Sequence, residues 1–327
     1  MSNNQKDSLV TICIPVYNGS AYISDSLSSA LKQTYTNCEI LIVDDCSTDN
    51  TLEIIQQFEK LNSNIRVHKN DRNLGLVGNW NKCIELARGN WIKFIFQDDT
   101  MENSCVEEMV TAAQKYNHEF IVCERSFLIQ SDASSSQNEF YTNQVSRLSD
   151  FFKTDSIIHH NDFNLVLSKN LTNNFIGEPC SFLFAKSLTN KYGLFCADLS
   201  QLCDFEFAAR IASNIGLVYV PRKLVQFRVH GNSTSESNHK SKKIKLELID
   251  SYILAYRYRY LKEFRMFRME FNERILNFYY QRVNNLFDKN WDIGHSLIRP
   301  FLIKYPLTYI HVMKAMIKGF LKNLKIG

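Results

Sequence analysis

Two pairs of adjacent aspartates are the residues of this chain best placed by type and spacing to do chemistry. Asp98 and Asp99 close the stretch "NWIKFIFQDDT", and Asp44 and Asp45 close "EILIVDD". In each case apolar residues suited to a buried strand lead into two like charges, which raise each other's pKa and cost stability unless something positive arrives. Neighbouring residues on a strand point to opposite sides, so one aspartate of a pair is able to ligate a metal while the other accepts hydrogen bonds from a hydroxylated ligand. Magnesium suits such a place, because it is usually held by one or two protein carboxylates together with substrate phosphates and waters. The competing reading is structural. Asp98 and Asp99 would then be exposed loop residues capping the helix that starts near Glu102, and "DDCSTDNT" would be turn chemistry in which Ser47, Thr48 or Asp49 caps the next helix. Both hold together if Asp49 caps while Asp45 reaches a ligand.

The elements that would position these carboxylates follow from the hydropathy pattern. "LVTICIPVY" is a β-rich run followed by a helical pattern from about Ala21 to Gln33. "EILIVDD" is a second strand, with a helix from about Asp49 to Leu61 behind it. "IRVHKN" is a third strand, a helix runs from about Gly78 to Arg88, and "WIKFIFQDD" is the fourth strand. Strands alternating with helices imply βαβ units and a parallel sheet, and such sheets bind ligands at the carboxyl ends of their strands. Both aspartate pairs are thereby expected at one edge.

From Met101 to about Ser235 the pattern is less regular. It predicts a helix near Glu102 to Tyr116, a strand at "FIVCER", a mobile loop at "SDASSSQNE" and a strand at "CSFLFAK". A helix around Asp204 to Ser213 and a strand pair, "GLVYV" and "LVQFRVH", follow. The polar segment "GNSTSESNHKSKK" is the expected boundary. Beyond it, Ile249, Ile253, Tyr256, Tyr260, Phe264, Phe267, Phe271, Ile275 and Phe278 recur at three- and four-residue steps, which predicts one long amphipathic helix.

Composition narrows the class. The chain has 327 residues, 45% hydrophobic, enough for a substantial core. Its nine cysteines include no C-x-x-C pair, which points away from a disulfide framework or zinc cluster and toward a reducing cytosol. The polar start "MSNNQKDS" does not read as a signal peptide, and no apolar run approaches the roughly 18 residues of a membrane span. From Ser241 onward there are 17 Lys or Arg against 7 Asp or Glu. That local net of +10, within a chain total of +4, leaves −6 on residues 1 to 240.

"TICIPVYNGSAYISDSLSSALKQTYTNCEILIVDDCSTDNT" followed by "RNLGLVGNWNKCIELARGNWIKFIFQDDT" resembles the family 2 inverting glycosyltransferases of bacterial surface-polysaccharide type. The resemblance covers nearly all of the first hundred residues and continues more thinly through "IGEPCSFLF", "LCDFEFAARI" and "FRVHGNSTS". It implies a GT-A fold: a mostly parallel central sheet flanked by helices, here with a C-terminal helical extension. The expected divisions are a nucleotide-sugar-binding half at 1–105, an acceptor-binding half at 106–235 and a basic amphipathic helical region at 236–327.

Carried over residue by residue, the resemblance implies that Pro15 and Tyr17 border the nucleotide base and that Asp45 accepts a hydrogen bond from it. Arg72 would lie near the nucleotide and diphosphate, Asp98 would take the ribose or sugar, and Asp99 would hold a divalent cation, Mn2+ or Mg2+. The catalytic base would be Asp204, opening a helix, with Glu206 as the alternative; Cys203 stands where many members carry an acidic residue. His230 resembles a histidine near the metal or diphosphate, with Arg228 or Ser233 as accessory contacts. The implied activity is inverting transfer of one hexosyl or N-acetylhexosaminyl unit from a UDP-sugar, or a dTDP-sugar, to a saccharide on a polyprenyl diphosphate carrier during assembly of a capsule, lipopolysaccharide O-antigen or similar polymer.

The processive synthases of this family carry Q-x-x-R-W and membrane spans; this sequence has neither, which favours single addition. A helical pattern from about Leu307 places Lys314, Lys318 and Lys322 at helical spacing, a basic amphipathic element suited to an anionic membrane surface at the inner face of the cell membrane. The aromatic stripe from Ile249 to Phe278 is equally suited to packing on the catalytic domain or to a homodimer. No nucleic-acid module accompanies the basic tail. A nicotinamide-dependent oxidoreductase would need G-x-G-x-x-G after the first strand, which "IPVYNGS" does not supply. A non-catalytic GT-A-fold scaffold at the membrane surface is the remaining alternative, and the retained aspartates speak against it.

Overall fold

The computed structural model describes residues 8–153, 156–231 and 244–288. They fall into two compact units, one made of Met1–Ala197 with Cys203–Ser237 and the other of Asp198–Leu202 with Asn238–Gly327.

The first unit is an α/β layer structure. Its opening βα repeats are β1 (Val10–Val16), α1 (Ile23–Leu31), β2 (Cys38–Asp44), α2 (Thr51–Leu61), β3 (Ile65–Lys69), α3 (Gly75–Leu86) and β4 (Trp91–Phe94). β1, "VTICIPV", is buried at every position and lies parallel between β2 and β4. A strand covered on both faces reads as a continuous apolar run, not an alternating one. The next elements are β5 (Thr100–Met101), α4 (Cys105–Tyr116), β6 (Phe120–Ile129), α5 (Ser135–Glu139), β7 (Ser156–Ile158) and α6 (His160–Leu167). β8 (Phe182–Ala185), α7 (Ser187–Tyr192), α8 (Cys203–Ile215) and β9 (Leu217–Val229) complete the unit. The sheet order is β3-β2-β1-β4-β8-β6-β9-β5 with β7 also on β9; it is parallel across β3 to β4 and mixed beyond, β8 running antiparallel to both β4 and β6.

An aromatic cluster fastens this sheet to its helices. Trp80 of α3 stacks on Phe96 at 5.0 Å, and Phe195 stacks on Phe207 of α8 at 4.1 Å while meeting Phe94 edge-on at 5.9 Å. α8 is buried from Cys203 to Ser213, its polar side chains Glu206 and Arg210 paired with each other within the core.

Several expectations are corrected. β4 stops at Phe94, one residue beyond its last pairing with β8, Lys93 opposite Leu183. The chain then turns, Asp99 N–H donating to the Phe96 carbonyl at 3.2 Å, and re-enters the sheet as β5 against β9. Asp98 and Asp99 therefore occupy a turn between two strands, and strand alternation does not separate them. α3 begins about one turn earlier than Gly78. "SDASSSQNE" is no loop at its far end: Ser134 accepts from the Gln137 N–H at 3.3 Å while the Gln137 side chain accepts from the Ser134 N–H at 2.9 Å, a capping box that nucleates α5. A π-helical turn, Phe140–Gln144, continues it. "GLVYV" and "LVQFRVH" form one strand, β9, whose register to β6 shifts around Glu124.

In the second unit the described residues form a helical hairpin of α9 (Ile244–Tyr260) and α10 (Arg265–Asp288) around a 3-10 turn at Lys262–Phe264. One long helix was expected; the break lets the aromatic stripe fold onto itself. Tyr258 meets Phe264 at 4.8 Å and Phe267 at 5.5 Å, and Tyr252 stacks on Tyr279 at 6.4 Å. Asp250 of α9 is fully buried and accepts the N–H groups of Ser200, Gln201 and Leu202 at 2.5–3.0 Å. Ser233 and the helix expected from about Leu307, with Lys314, Lys318 and Lys322, lie outside the described residues. Among the described residues no helix is long and apolar enough to cross a membrane.

Candidate active site

The carboxyl ends of β1, β2 and β4 carry loops that are stitched together by short polar side chains. Asn18, in a left-handed conformation (φ 50°), accepts the Thr48 N–H at 2.8 Å on Oδ1 and donates its own N–H to Ser47 Oγ at 2.9 Å. Gln97 pairs with the backbone of Tyr17 through both ends of its amide, at 2.8 and 3.2 Å. Gly19 leaves room for this pairing, since a Cβ would come within 2.6 Å of the Gln97 amide and displace it. This leaves Tyr17 47% exposed, while Pro15 lies buried inside β1 opposite Val43. Asp49 holds the Thr51 N–H at 3.1 Å and the Ser20 N–H at 3.2 Å, joining the two loops and starting α2.

Asp45 is only 2% exposed. Its Oδ1 accepts from Asn70 Nδ2 and from Leu74 N–H, both at 2.8 Å, and its Oδ2 accepts from Gly75 N–H at 3.0 Å. It thus caps α3, where an anion is favoured by the helix dipole. A carboxylate offers about four acceptor positions, so Oδ2 retains a lone pair for a ligand donor. Arg72 is exposed on the loop before α3. Asp44 is buried, its Oδ2 accepting from Ser47 N–H at 3.2 Å and its Oδ1 having no hydrogen-bond partner.

The Asp98–Asp99 turn is held by β9. Arg228 donates its backbone N–H to Asp99 Oδ1 at 2.9 Å, its Nε to the Asp98 carbonyl at 2.8 Å and its Nη2 to Asp25 of α1 at 2.9 Å. Its guanidinium lies 4.6 Å from the centre of the Tyr22 ring, which in turn packs on His230 at 4.9 Å. His230 Nε2 is 3.1 Å from Asp98 Oδ2, so the histidine engages Asp98 directly; its buried Nδ1 has no hydrogen-bond partner. Asp99 is 1% exposed, and burial first and the charge of Asp98 second push its carboxyl well above the usual range. Its Oδ2 is buried without a hydrogen-bond partner among the described residues, and the weak-donor thiol of Cys180 lies near the carboxyl.

These atoms fit a divalent cation. Asp99 Oδ2 is a buried carboxylate oxygen lacking a partner, Asp98 adjoins it, and both are hard oxygen donors. Among the described residues no three His, Cys, Asp or Glu gather tightly enough to hold an ion alone. Further ligands would have to come from a phosphate and water, as magnesium and manganese accept.

Asp204 opens α8. Its Oδ1 accepts the Phe205 N–H at 2.6 Å, and its Oδ2 accepts from Asn174 Nδ2 at 3.2 Å. Burial, and then the charge of Glu178, raise its carboxyl to about 7. Glu206 is excluded as a base. It is fully buried and forms a double hydrogen bond with Arg210 at 2.8 and 3.0 Å, and Arg210 also binds carbonyls of the Tyr192–Leu194 turn. That is a structural ion pair.

Sequence reasoning missed the residues that surround Asp204. Asn174 accepts the Ile176 and Gly177 N–H groups at 3.2 and 3.0 Å and donates to the Gly177 carbonyl as well as to Asp204. Glu178 approaches Arg125 Nε of β6 at 2.7 Å, an ion pair without hydrogen-bond alignment, and Lys93 of β4 donates to the Cys180 carbonyl from beneath. Gly177 is in a left-handed conformation (φ 111°), and a Cβ there would come within 2.6 Å of the Arg125 guanidinium. The signal was present in "GEP", a glycine and a charge before a proline, but nothing in one sequence says that β6 delivers an arginine to it.

Comparison with known proteins identifies the family and the fold. Residues 11–188 match the family model "Glycosyl transferase family 2". An uncharacterized glycosyltransferase of Haemophilus influenzae is 29% identical over 253 residues, 75% of this chain and 74% of that protein. The Escherichia coli UDP-Glc:alpha-D-GlcNAc-diphosphoundecaprenol beta-1,3-glucosyltransferase WfgD is 37% identical over 115 residues, 35% of this chain and 45% of its own length. Among solved structures, S. aureus TarS 1-349 in complex with UDP-GlcNAc superposes with a TM-score of 0.57 at 16% identity, covering 95% of this chain and 92% of that one, which establishes the shared fold. With the match extending from β1 through the turn of Asp98 and Asp99 and on into α7, the chain belongs to glycosyltransferase family 2 and is a glycosyltransferase enzyme of the GT-A fold.

Proposed function

We propose that the protein transfers a single sugar, with inversion and with the help of a divalent cation, from a UDP-sugar to a hydroxyl of a saccharide carried on a polyprenyl diphosphate, in the assembly of a bacterial surface polysaccharide. The observation that carries this reading is the Asp204 carboxyl. It opens a buried helix, is held by Asn174 and titrates at about 7, where a general base works best at cellular pH. The UDP-Glc donor that WfgD is named for and the UDP-GlcNAc bound in the TarS complex support the UDP assignment, and the diphosphoundecaprenol acceptor in the name of WfgD supports the lipid-linked acceptor.

In this reading residues 1–105 bind the donor. Tyr17 faces the base, with Pro15 in the strand behind it, and Asp45 Oδ2 accepts the imide N–H of uracil. Arg72 meets the diphosphate, while Asp98, steered by His230, takes a ribose or sugar hydroxyl. Asp99 holds the cation with Asp98 beside it; the cation would neutralise charge developing on the leaving diphosphate. Residues 106–235 bind the acceptor. As the acceptor oxygen bonds to the anomeric carbon, Asp204 removes its proton, and the diphosphate departs from the opposite side. Peripheral association with the inner face of the cell membrane is part of the proposal, through the basic tail at 236–327.

Calorimetric titration with UDP, CDP, GDP and dTDP, in manganese and again in chelator, tests the donor site. Cation-dependent binding selective for UDP is expected; dTDP selectivity would change the donor, and no nucleotide binding would overturn the reading. Asn174→Ala removes a hydrogen bond to the ionised base, an interaction of roughly 1.5–3 kcal/mol. It is expected to slow transfer at least about tenfold and to move the acid limb of kcat/KM to higher pH, because the lost bond favoured the charged form. An unmoved limb in a pH profile would show that Asn174 shapes only the loop.

A further inference from the structure

Ten residues, 193–202, join α7 to α8, and the last three of them converge on one buried carboxylate. Asp250 of α9 is fully buried, and it accepts the N–H of Ser200 at 3.0 Å on both oxygens and those of Gln201 and Leu202 at 2.5 and 3.0 Å on Oδ2. Such a run of successive N–H groups is an anion-binding nest, here filled from within the chain. Burying a carboxylate is costly unless its oxygens are engaged, and bonds from N–H to a charged oxygen are the strong kind. The helix that carries Asp250 is itself fixed. Ile253, Leu254 and Ala255 are wholly buried, and Tyr252 stacks on Tyr279 of α10 at 6.4 Å. Arg268 of α10 donates Nη1 to the carbonyls of Tyr258 and Leu261, both at 3.1 Å.

Leu202 is followed directly by Cys203 and Asp204, the first residues of α8. A peptide chain has only two soft torsions per residue, so very little freedom separates the clamped peptide groups from the Asp204 carboxylate. We propose that Asp250 is a positioning residue for the reaction: by fixing Ser200, Gln201 and Leu202 it sets where α8 begins and so where Asp204 stands, which gives the C-terminal hairpin a part in catalysis. The inference rests on the reading of Asp204 as base and assigns a role to a residue outside that site. The body of α8 is pinned by other means, Glu206 pairing with Arg210, which binds the carbonyls of Gly193 and Leu194. The Asp250 clamp acts on the opening turn, where helices fray. A displacement of about 1 Å at a catalytic group costs on the order of 10²-fold in rate, so slight fraying there is enough to be felt. Fraying also lets water reach Asp204, whose carboxyl is raised by burial first and by Glu178 second, with the Phe205 N–H and Arg125 opposing. Burial being the largest of these, a wetter Asp204 titrates at lower pH.

The test compares the full-length parent with Asp250→Asn and Asp250→Ser. Asn replaces one oxygen by an amide whose hydrogens oppose the N–H groups, and Ser removes the carboxylate altogether. Ile253→Ala, which loosens the same helix without touching the carboxylate, is the control. Two readouts need neither sugar donor nor acceptor: backbone hydrogen exchange, and carbon-13 NMR titration of the Asp204 carboxyl, assigned by its loss in Asp204→Asn. In the Asp250 variants exchange at Ser200, Gln201, Leu202 and Phe205 is expected to quicken about tenfold or more, and Asp204 to titrate at lower pH than in the parent. The kcat for transfer should fall about tenfold or more, with the UDP dissociation constant within about twofold. Ile253→Ala should lower the melting temperature and leave the other readouts at the parent's values. Unprotected amides at Ser200, Gln201 and Leu202 in the parent, an unmoved Asp204 titration with parental kcat in a folded Asp250 variant, or the same changes in Ile253→Ala would each overturn the proposal. Failure of both Asp250 variants to fold would assign the carboxylate to stability alone and overturn it as well. An Asp204→Asn enzyme of undiminished activity would instead remove the base assignment beneath it, leaving the exchange result to stand.

Discussion

Asp204→Asn is expected to lower kcat by about 10²–10⁴, the usual contribution of a positioned general base, while the UDP dissociation constant stays within about twofold. The substitution keeps the shape of the side chain and an oxygen for the Phe205 N–H, so the opening of α8 survives; what disappears is the ability to take a proton. The pH dependence supplies the second half of the prediction. The base acts ionised, and its carboxyl titrates at about 7. Activity of the unaltered enzyme should therefore be full above that value and decline as pH falls through it. Replacing Glu178 by Gln removes a negative charge that raises the Asp204 carboxyl, so in that variant the decline should begin at lower pH. Initial rates against pH at subsaturating acceptor measure both effects. An Asp204→Asn enzyme within about tenfold of the parent would sink the assignment.

Asp99→Asn is expected to abolish the difference between UDP affinity measured in manganese and in chelator, and to cut transfer by about 10³ or more. Asn keeps an oxygen to accept the Arg228 N–H at the position of Oδ1. It removes the buried, unpartnered oxygen charge at Oδ2, where a hard cation has reason to bind. Calorimetry of the variant under both conditions reads the effect directly. If the parent protein binds UDP equally well with and without cation, the metal assignment is wrong, and Arg72 and Arg228 become the groups that must answer the diphosphate.

How much of this was legible in the sequence differs along the chain for physical reasons. The βα repeats through β4 were read with their order intact, since buried parallel strands are continuous apolar runs and their helices carry a strong period. The turn at Asp98 and Asp99 was read as strand because Ile95 and Phe96 are apolar; the pairing of β4 with β8 nonetheless ends at Lys93, a long-range fact. The capping box at Ser134 was readable and passed over, its serines taken for a flexible composition. The helix break near Lys262 has no glycine or proline to announce it, and it is tertiary packing of Tyr258 on Phe264 and Phe267 that marks the hairpin. At the site, the aspartates were visible because like charges in pairs are unusual. Glu178, Arg125 and Asn174 were not, because each acquires meaning only from a partner dozens of residues away.

Asp45 has one further consequence, for redesign. The carboxylate proposed to read the nucleotide base also receives the two N–H groups at Leu74 and Gly75 and anchors Asn70. Its place in the protein is therefore secured by the integrity of α3 before any ligand arrives. Selection for a new nucleotide cannot freely sample this position, since most replacements would unseat a helix that carries Trp80 into the core. Altered base preference should be sought among the exposed neighbours, Tyr17 and Arg72, whose side chains the fold does not need. A library that randomises those two while holding Asp45 fixed would keep most of its members folded.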